Sequence, residues 1–243
     1  MIKGCTAKIS AALLGLLGLT AGLQANDLTT GLIAHYPFDG NANDVSGNNN
    51  HGTNNGATPG TGRLGNPGKA YNFNNSHIAI TNPLLPQGSA ARTLSIWAKP
   101  NSTNTATQVL SQWGSKATNK AYSLFLDQNS FCGGPYGNDL SSGVTNDQNW
   151  HHLALTLVGG NLRIYINGIL KNSSSIAPQT NGTVLILGKE IDSLALPFNG
   201  LIDEVRIYDR ALSASDVLAL YNLEKPNPPP PGASIAITSP VGN

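Results

Sequence analysis

The sequence predicts an all-β fold, a two-sheet antiparallel jelly-roll sandwich with one short helix near the C-terminus. Leu162, Ile164 and Ile166 alternate with polar residues, which is the period of a strand that buries one face. Asn167-Gly168 follows directly, and both residues tolerate the positive φ angles of a two-residue type I′ hairpin. Short apolar segments recur between Gly, Asn, Ser and Pro, a rhythm typical of sandwiches and jelly rolls.

Further strands and one helix can be placed by the same reasoning. The alternation recurs over residues 94–98, 122–126 and 153–157. Near the C-terminus, Ser213 is followed three residues later by Asp216, close to the capping box that begins many helices. Apolar residues then follow at helical spacing. We therefore expect a short helix over residues 214–222, packed at an end of the sandwich.

The first 25 residues have the layout of a secretory signal. Lys3 and Lys8 form a basic start, residues 9–23 form an apolar run, and Ala25 is a small residue suited to cleavage before Asn26. The run is shorter than the roughly 20 apolar residues that span a membrane. We expect a secreted or cell-surface protein with no membrane span once residues 1–25 are removed.

The remaining chain divides into a domain, a linker and a tail. Residues 26–224 carry the strand and helix signals, and residues 225–233 are rich in proline, which favours an extended, semi-rigid spacer. Residues 234–243 alternate like the first strand of a second β-domain, and a frayed tail is the alternative interpretation.

Charge and cysteine content limit the function and the covalent structure of the predicted domain. The chain has 14 Lys and Arg against 13 Asp and Glu, without the basic clusters that bind nucleic acid. Cys132 is the only cysteine outside residues 1–25, so the predicted domain has no internal disulfide. We expect no nucleic-acid partner.

Five stretches together resemble the laminin G-like jelly-roll domains, which have concanavalin A-like architecture. They are GLIAHYPFDGNANDVSGNNNHGT, LGNPGKAYNFNNSHIAI, RTLSIWAKP, NWHHLALTLVGGNLRIYINGIL and FNGLIDEVRIYDRALSASDVLALY, within residues 31–223. The resemblance implies two stacked antiparallel sheets, frequent calcium binding, and roles in carbohydrate or protein binding and adhesion. It also implies a module of a larger exported protein.

The loop from Asp39 to Asn50 is rich in oxygen-bearing side chains, and calcium takes six to eight oxygen ligands. Asp44 stands where an EF-hand needs glycine, which excludes that motif. The resemblance instead pairs this loop with Asp203 in the last long strand. The candidate metal ligands are Asp39, Asn43 or Asp44, and Asp203, holding a structural calcium ion. The alternative is that these side chains only cap turns.

The alternation of side chains along the strand that carries Asp203 limits which residues could face the metal. Side chains alternate along a strand, so Asp203 and Glu204 are expected on opposite faces. Only one of them could then face the metal. Arg206 is placed to form a surface ion pair with Glu204, worth about 0–1 kcal/mol.

Exposed aromatic rings are the usual stacking surfaces for sugars. Trp97 and Trp150 lie in stretches that match the family's core, so we interpret both as structural. Trp113, at a strand end, and Tyr136, in a glycine-rich loop, are the candidate carbohydrate contacts. The alternative is that these two rings are also core residues.

The same architecture also occurs in glycoside hydrolases. Retaining enzymes need two carboxylates about 5–5.5 Å apart. The segment Glu190-Ile191-Asp192 lacks the second glutamate that would supply the pair on one strand. We therefore expect no enzymatic activity and predict a secreted binding module for carbohydrate or extracellular protein. A structural or adhesion spacer without a sugar ligand is the alternative, and a polysaccharide hydrolase is a further, weaker one.

Overall fold

The computed structural model describes residues 27–226. The predicted signal peptide, most of the predicted linker and the predicted further strand lie outside these residues. The described chain forms two antiparallel sheets and one short helix, which confirms the predicted fold class.

The elements follow one another along the chain with short connections. In chain order they are β1 (Leu32–Tyr36), β2 (Thr53–Asn55), β3 (Thr58–Thr61), β4 (Pro67–Phe73), β5 (His77–Thr81), β6 (Arg92–Pro100), β7 (Gln108–Gly114), β8 (Ala121–Asp127), β9 (Ser130–Gly134), β10 (Leu140–Thr145), β11 (His151–Val158), β12 (Asn161–Ile166), β13 (Ile169–Ser175), β14 (Val184–Leu187), β15 (Gly200–Tyr208) and α1 (Ala214–Glu224).

The first sheet has eight strands in the order β13-β12-β11-β6-β15-β4-β3, with β1 also paired to β15. The second has seven strands in the order β10-β9-β8-β7-β14-β5-β2. Leu32 pairs with Tyr208 and Tyr36 with Val205, so the first and last strands are neighbours. The two ends of the described chain therefore meet in one sheet.

The main core lies between the two sheets, where the alternating apolar residues meet. Leu153, Leu155 and Leu157 of β11 and the alternating apolar residues of β12 belong to this core. The turn between β12 and β13 has φ angles of 53° at Asn167 and 78° at Gly168. Both are positive, as the type I′ hairpin prediction requires.

Helix α1 covers the outer face of the eight-stranded sheet. Ser213 and Asp216 form the predicted capping box, and the helix runs two residues beyond the predicted end. Its apolar side packs on the sheet in a second cluster, which comprises Ala154, Tyr165, Tyr208, Leu212, Val217 and Leu220. This helix therefore closes one outer face of the sandwich. No helix in residues 27–226 is long and apolar enough to cross a membrane.

Candidate functional site

A pocket of about 90 Å³ opens on the outer face of the seven-stranded sheet. Its floor comes from β7 and β8, where Val109 pairs with Phe125 and Gln112 with Ser123 on the outer face. Leu110, Trp113 and Leu124 point into the core, with a β-bulge between Val109 and Ser111. Val109 and Phe125 pair across these strands and pack with Cys132 outside the main core. The full lining is Thr107, Val109, Gln112, Ser123, Phe125, Tyr136, Asp139, Glu190 and Leu196.

The polar floor of the pocket is held by side chains that bond to one another. The Gln112 amide nitrogen donates to Ser123 Oγ at 2.9 Å, and its oxygen accepts the Ile191 backbone N–H at 2.8 Å. Gln112 thereby joins the sheet to the loop between β14 and β15. Ser123 keeps its own hydroxyl proton for a further acceptor.

Glu190 lies at the buried side of the pocket and is 2% exposed. One of its oxygens, Oε2, accepts hydrogen bonds from Lys116 Nζ at 3.0 Å and from the Ser193 hydroxyl at 2.5 Å. The hydrogen bond and charge of Glu190 raise the pKa of Lys116. Glu190 is therefore a fixed, paired carboxylate whose other oxygen remains an acceptor.

Asp139 differs from Glu190 because its carboxylate accepts no hydrogen bond from residues 27–226. Partial burial and repulsion from Asp127 raise the pKa of Asp139. Asp127 is itself engaged, since its Oδ1 accepts the Thr107 hydroxyl at 2.7 Å. Asp139 is thus the one pocket carboxylate with both oxygens available to a ligand.

Tyr136 stands at the mouth of the pocket with 38% of its surface exposed. Its loop is fixed by backbone hydrogen bonds: Asn119 N–H donates to the Tyr136 carbonyl, and Asn138 N–H to the Pro135 carbonyl. Gly137 has a φ of 78°, which L side chains rarely adopt. The prediction that this loop brings Tyr136 to the rim of a sheet agrees with its position.

The loop between β14 and β15 supplies the remaining wall. Asp192, Leu194 and Leu196 all have positive φ angles, an uncommon run for non-glycine residues. Asp192 Oδ2 accepts the Lys116 backbone N–H at 2.7 Å, and Val109 N–H donates to the Leu196 carbonyl. Such strain in a surface loop is often found where a ligand binds.

The prediction of Trp113 as a ligand contact is wrong because its ring is fully buried. It packs between the sheets against Tyr122, with ring centroids 4.7 Å apart. Strict alternation along β7 would place Trp113 on the same face as Val109, opposite Leu110, and the β-bulge between Val109 and Ser111 turns the ring into the core instead. Trp97 is buried as expected, and Trp150 is half-buried.

The candidate metal ligands divide between two places. Asp39 and Asp203 line one cavity of about 180 Å³, together with Gly62, Arg63, Leu64, Asn66, Lys69 and Glu204. Asn43 and Asp44 do not line it. Asp39 and Asp203 thus border one cavity that the second loop residue does not reach, and calcium binding there stays a prediction.

Asp44 organises its own loop instead. Oδ1 accepts the backbone N–H groups of His35 and Ser46, and Oδ2 accepts that of Asn50, all at 2.9–3.0 Å. Burial acts to raise the pKa of Asp44, but these three hydrogen bonds outweigh it and lower the pKa. Both oxygens are engaged in the turn, as the capping alternative expects.

The expectation that Asp203 and Glu204 face opposite sides is wrong because β15 contains a β-bulge. Asp203 pairs with Trp97 and Arg206 with Ser95, so one residue is extra. Glu204 has a φ of 48°, and both carboxylates consequently line the same cavity. Nothing in the local sequence signals this bulge.

The Glu204–Arg206 pair forms, at 3.1 Å, but it is not a surface pair, since each side chain is 13% exposed. Arg206 also pairs with Glu224 of α1 at 2.6 Å, and the Trp97 indole donates to Glu224 at 2.8 Å. Burial raises the pKa of Glu224. These contacts attach the end of the helix to the eight-stranded sheet.

The buried carboxylate of Asp203 is the strongest argument for a cation in the 180 Å³ cavity. Arg63 Nη1 lies 2.8 Å from Asp203 Oδ2, while Oδ1 is buried with no hydrogen-bond partner in the described chain. Burial raises the pKa of Asp203 to about 6 despite Arg63. A buried acceptor without a partner is costly, and a cation beside it would remove that cost.

The second carboxylate of the cavity is less constrained. Asp39 pairs with Lys69 at 3.1 Å, and both side chains are about half exposed, so the pair contributes about 0–1 kcal/mol. A divalent ion could therefore displace Lys69. The cavity offers calcium the carboxylate oxygens of Asp39 and Asp203 and the amide oxygen of Asn66, beside the cations Arg63 and Lys69. Residues 27–226 contain no group of three or more His, Cys, Asp or Glu placed to hold a metal.

The family assignment follows from the sequence across both sheets. The family Laminin_G_3, described as the concanavalin A-like lectin/glucanases superfamily, matches residues 72–218. The chain belongs to this family. The matched segment contains every residue that lines the pocket on the seven-stranded sheet, from Thr107 to Leu196. Comparison with curated protein sequences gives no significant match.

Several solved structures share this laminin G-like fold. Domain 4 of AbnA, a GH43 extracellular arabinanase from Geobacillus stearothermophilus, was solved in complex with arabinotriose. It is 29% identical with a TM-score of 0.64, and the match covers 78% of this chain and 98% of that domain. The binding domain of Paraclostridial Mosquitocidal Protein 1 is 20% identical with a TM-score of 0.66, over 79% of this chain and 52% of that one.

A third similar structure is of botulinum neurotoxin type C, a toxin whose cell entry depends on interaction with two ganglioside molecules. It is 16% identical to this chain, with a TM-score of 0.63. That match covers 79% of this chain and 51% of that one, so this chain spans about half the length of both toxin structures. At these identities the two toxins show a shared fold alone.

Proposed function

We propose that this laminin G-like domain is a non-catalytic carbohydrate-binding module of an exported protein. The observation that carries the proposal is the pocket on the open face of the seven-stranded sheet, which combines aromatic rings with unused hydrogen-bonding groups. Ligand pockets are typically largely apolar with a few placed polar groups. The arabinotriose complex of AbnA domain 4 supports a sugar as the ligand.

The pocket suits a sugar ring because its two kinds of surface lie side by side. Phe125, Leu196 and the exposed ring of Tyr136 offer apolar contact for the C–H face of a sugar. Asp139 and the free oxygen of Glu190 accept hydrogen bonds from hydroxyl groups. Stacking would fix the plane of the ring and the acceptors its orientation.

The hydrogen bonds of Glu190 favour a structural role for this carboxylate over a catalytic one. A retaining hydrolase needs one carboxylate as nucleophile and a second as acid. Glu190 is tied to Lys116 and Ser193 at one oxygen, and the strand pattern that would add a second glutamate is absent. Export is proposed from the pattern of residues 1–25, and a calcium ion between Asp39 and Asp203 is proposed as a structural element.

Tyr136 gives the direct test of the sugar site. Calorimetric titration with arabinotriose and a panel of neutral oligosaccharides should show binding to the wild-type chain. Tyr136→Ala removes the stacking ring and should weaken the affinity about tenfold, or ~1.4 kcal/mol. Tyr136→Phe keeps the ring and should stay within about threefold of wild type, since only the hydroxyl hydrogen bond is lost.

The control is Leu218→Ala, which removes an exposed apolar side chain from α1 on the opposite face and should leave affinity unchanged. Product analysis after long incubation checks that no sugar is released. Absence of binding across the panel would overturn the proposal and favour a spacer or a protein partner. Equal binding by wild type and Tyr136→Ala would remove this pocket as the site.

A further inference from the structure

We infer that the pocket selects neutral sugars and rejects acidic ones, and that Asp139 determines this selectivity. The inference rests on the proposed function and names the ligand class that its pocket would take. It follows from the charges around the pocket and from the balance of its hydrogen-bond donors and acceptors.

Four carboxylates lie in or beside the pocket, namely those of Asp127, Asp139, Glu190 and Asp192. Asp139 and Glu190 line it directly. Asp127 bonds to the lining residue Thr107, and Asp192 accepts the backbone N–H of Lys116. Lys116 is the cation paired with this group in the described chain, through Glu190. A ligand carboxylate would therefore enter a region of net negative charge.

The hydrogen-bonding groups left free in the pocket are mainly acceptors. Asp139 has both oxygens unused, Glu190 has one, and the Thr107 oxygen can still accept after donating to Asp127. Sugar hydroxyls can donate to all of these. The carboxylate of a uronic acid cannot donate, so it would leave them unpaired as well as repelled.

Asp139 is the residue where this discrimination can be changed without disturbing the fold. Lys116 and Ser193 bind Glu190, and replacing it would break those contacts. Asp139, in contrast, has no hydrogen-bonded partner in residues 27–226 to lose. Asp139→Asn keeps the shape and one acceptor oxygen while removing the charge.

The test uses two trisaccharides that differ only at C6. Galactotriose carries CH₂OH groups where trigalacturonic acid carries carboxylates. At neutral pH and low ionic strength, the wild-type chain should bind galactotriose and should bind trigalacturonic acid at least about tenfold more weakly, given charge repulsion at a partly screened surface. Asp139→Asn should lower the ratio of the two dissociation constants, trigalacturonic acid over galactotriose, about tenfold, mainly by improving affinity for the acidic sugar.

The matched control is Asp209→Asn, which removes one exposed charge just beyond β15 in the other sheet and should leave the ratio unchanged. High salt should also lower the wild-type ratio of dissociation constants, because the screening length falls to about 3 Å at 1 M.

Equal affinity of wild type for both sugars, or an unchanged ratio in Asp139→Asn, would overturn the inference alone. If arabinotriose binds but galactotriose does not, the effect of Asp139→Asn decides: improved affinity for trigalacturonic acid with unchanged affinity for arabinotriose supports the inference, and no improvement overturns it. Absence of binding by every neutral sugar would overturn the proposed function itself, and the inference with it.

Discussion

One carboxylate, that of Asp44, arranges the loop between β1 and β2. It is 5% exposed and accepts three backbone N–H groups, two on one oxygen and one on the other. Such buried N–H groups are costly to leave unpaired. The loop that leads from the first strand to the pairing strands of the second sheet thus depends on one side chain.

Asp44→Ala should therefore lower the free energy of unfolding by about 2–4 kcal/mol, since up to three donors lose their acceptor. Asp39→Ala removes an exposed carboxylate from the same loop and should cost under about 1 kcal/mol. Urea unfolding in the presence of EDTA measures both without any contribution from a bound metal. Similar losses for the two variants would show that Asp44 does not act as the cap.

At the scale of residues, the sequence predicts which residue types could bind a ligand better than it predicts which face of a strand they occupy. The glycine-rich context of Tyr136 was a usable signal, because a φ-permissive loop can carry a ring to a rim. Trp113 differs from its prediction because the β-bulge between Val109 and Ser111 shifts the alternation of β7 and turns the ring into the core. Gln112, Asp139 and Glu190 come from separate strands and loops, so no local pattern brings them together.

At the scale of elements, helix α1 is held by buried polar contacts as well as by apolar packing. Under it, the His152 imidazole is fully buried beside Trp97 and Tyr221, and its Nε2 lies 2.8 Å from Ser95 Oγ. Burial, with repulsion from Arg206 and Arg63, lowers the pKa of His152 to about 3. The folded protein consequently keeps this ring neutral.

The buried His152 predicts a specific acid sensitivity. Its folded pKa lies below the ordinary value of 6.5, so the unfolded state binds the proton more readily between those values. Its stabilising contribution is full above about pH 6.5 and is lost as the pH falls toward 3, by up to ~1.4 kcal/mol per pH unit. His152→Gln keeps a hydrogen-bonding group and should flatten this part of the curve.

Urea unfolding between pH 4 and 7.5 at constant ionic strength measures that difference. The other titrating groups, including Asp203 and Glu224, are common to both proteins and cancel in the comparison. Leu218→Ala, at an exposed apolar position of α1 that changes no titratable group, is the control and should leave the slope of wild type unchanged. A His152→Gln curve parallel to wild type would show that His152 is not the source of the slope.

The elements themselves were largely predictable, and their irregularities were not. The Asn167-Gly168 turn and the Ser213–Asp216 box are local codes, because one or two residues determine the backbone there. The bulge at Glu204 depends on how β15 pairs with β6 and β1, which are distant in sequence. The same applies to Arg63, which reaches Asp203 from the loop between β3 and β4.

At the scale of the whole molecule, the two outer faces of the sandwich have different roles. Helix α1 covers the eight-stranded sheet, and the proline-rich segment continues from its end at Lys225. The pocket opens on the seven-stranded sheet, on the other side of the core. This arrangement turns the proposed sugar site away from the point where the chain continues.

The same separation predicts that calcium and sugar act independently. The cavity of Asp39 and Asp203 lies beside β15 in the eight-stranded sheet, so an ion there would stabilise the fold without touching the sugar pocket. At calcium about 100-fold above its Kd, wild type should melt roughly 5–10 °C higher than in EDTA, from about 2.7 kcal/mol of selective binding to the native state. Asp39→Ala should abolish that difference, while Asp209→Asn should retain it. Sugar affinity, measured by titration with and without EDTA, should be equal; an unchanged melting temperature in wild type would exclude structural calcium at this cavity.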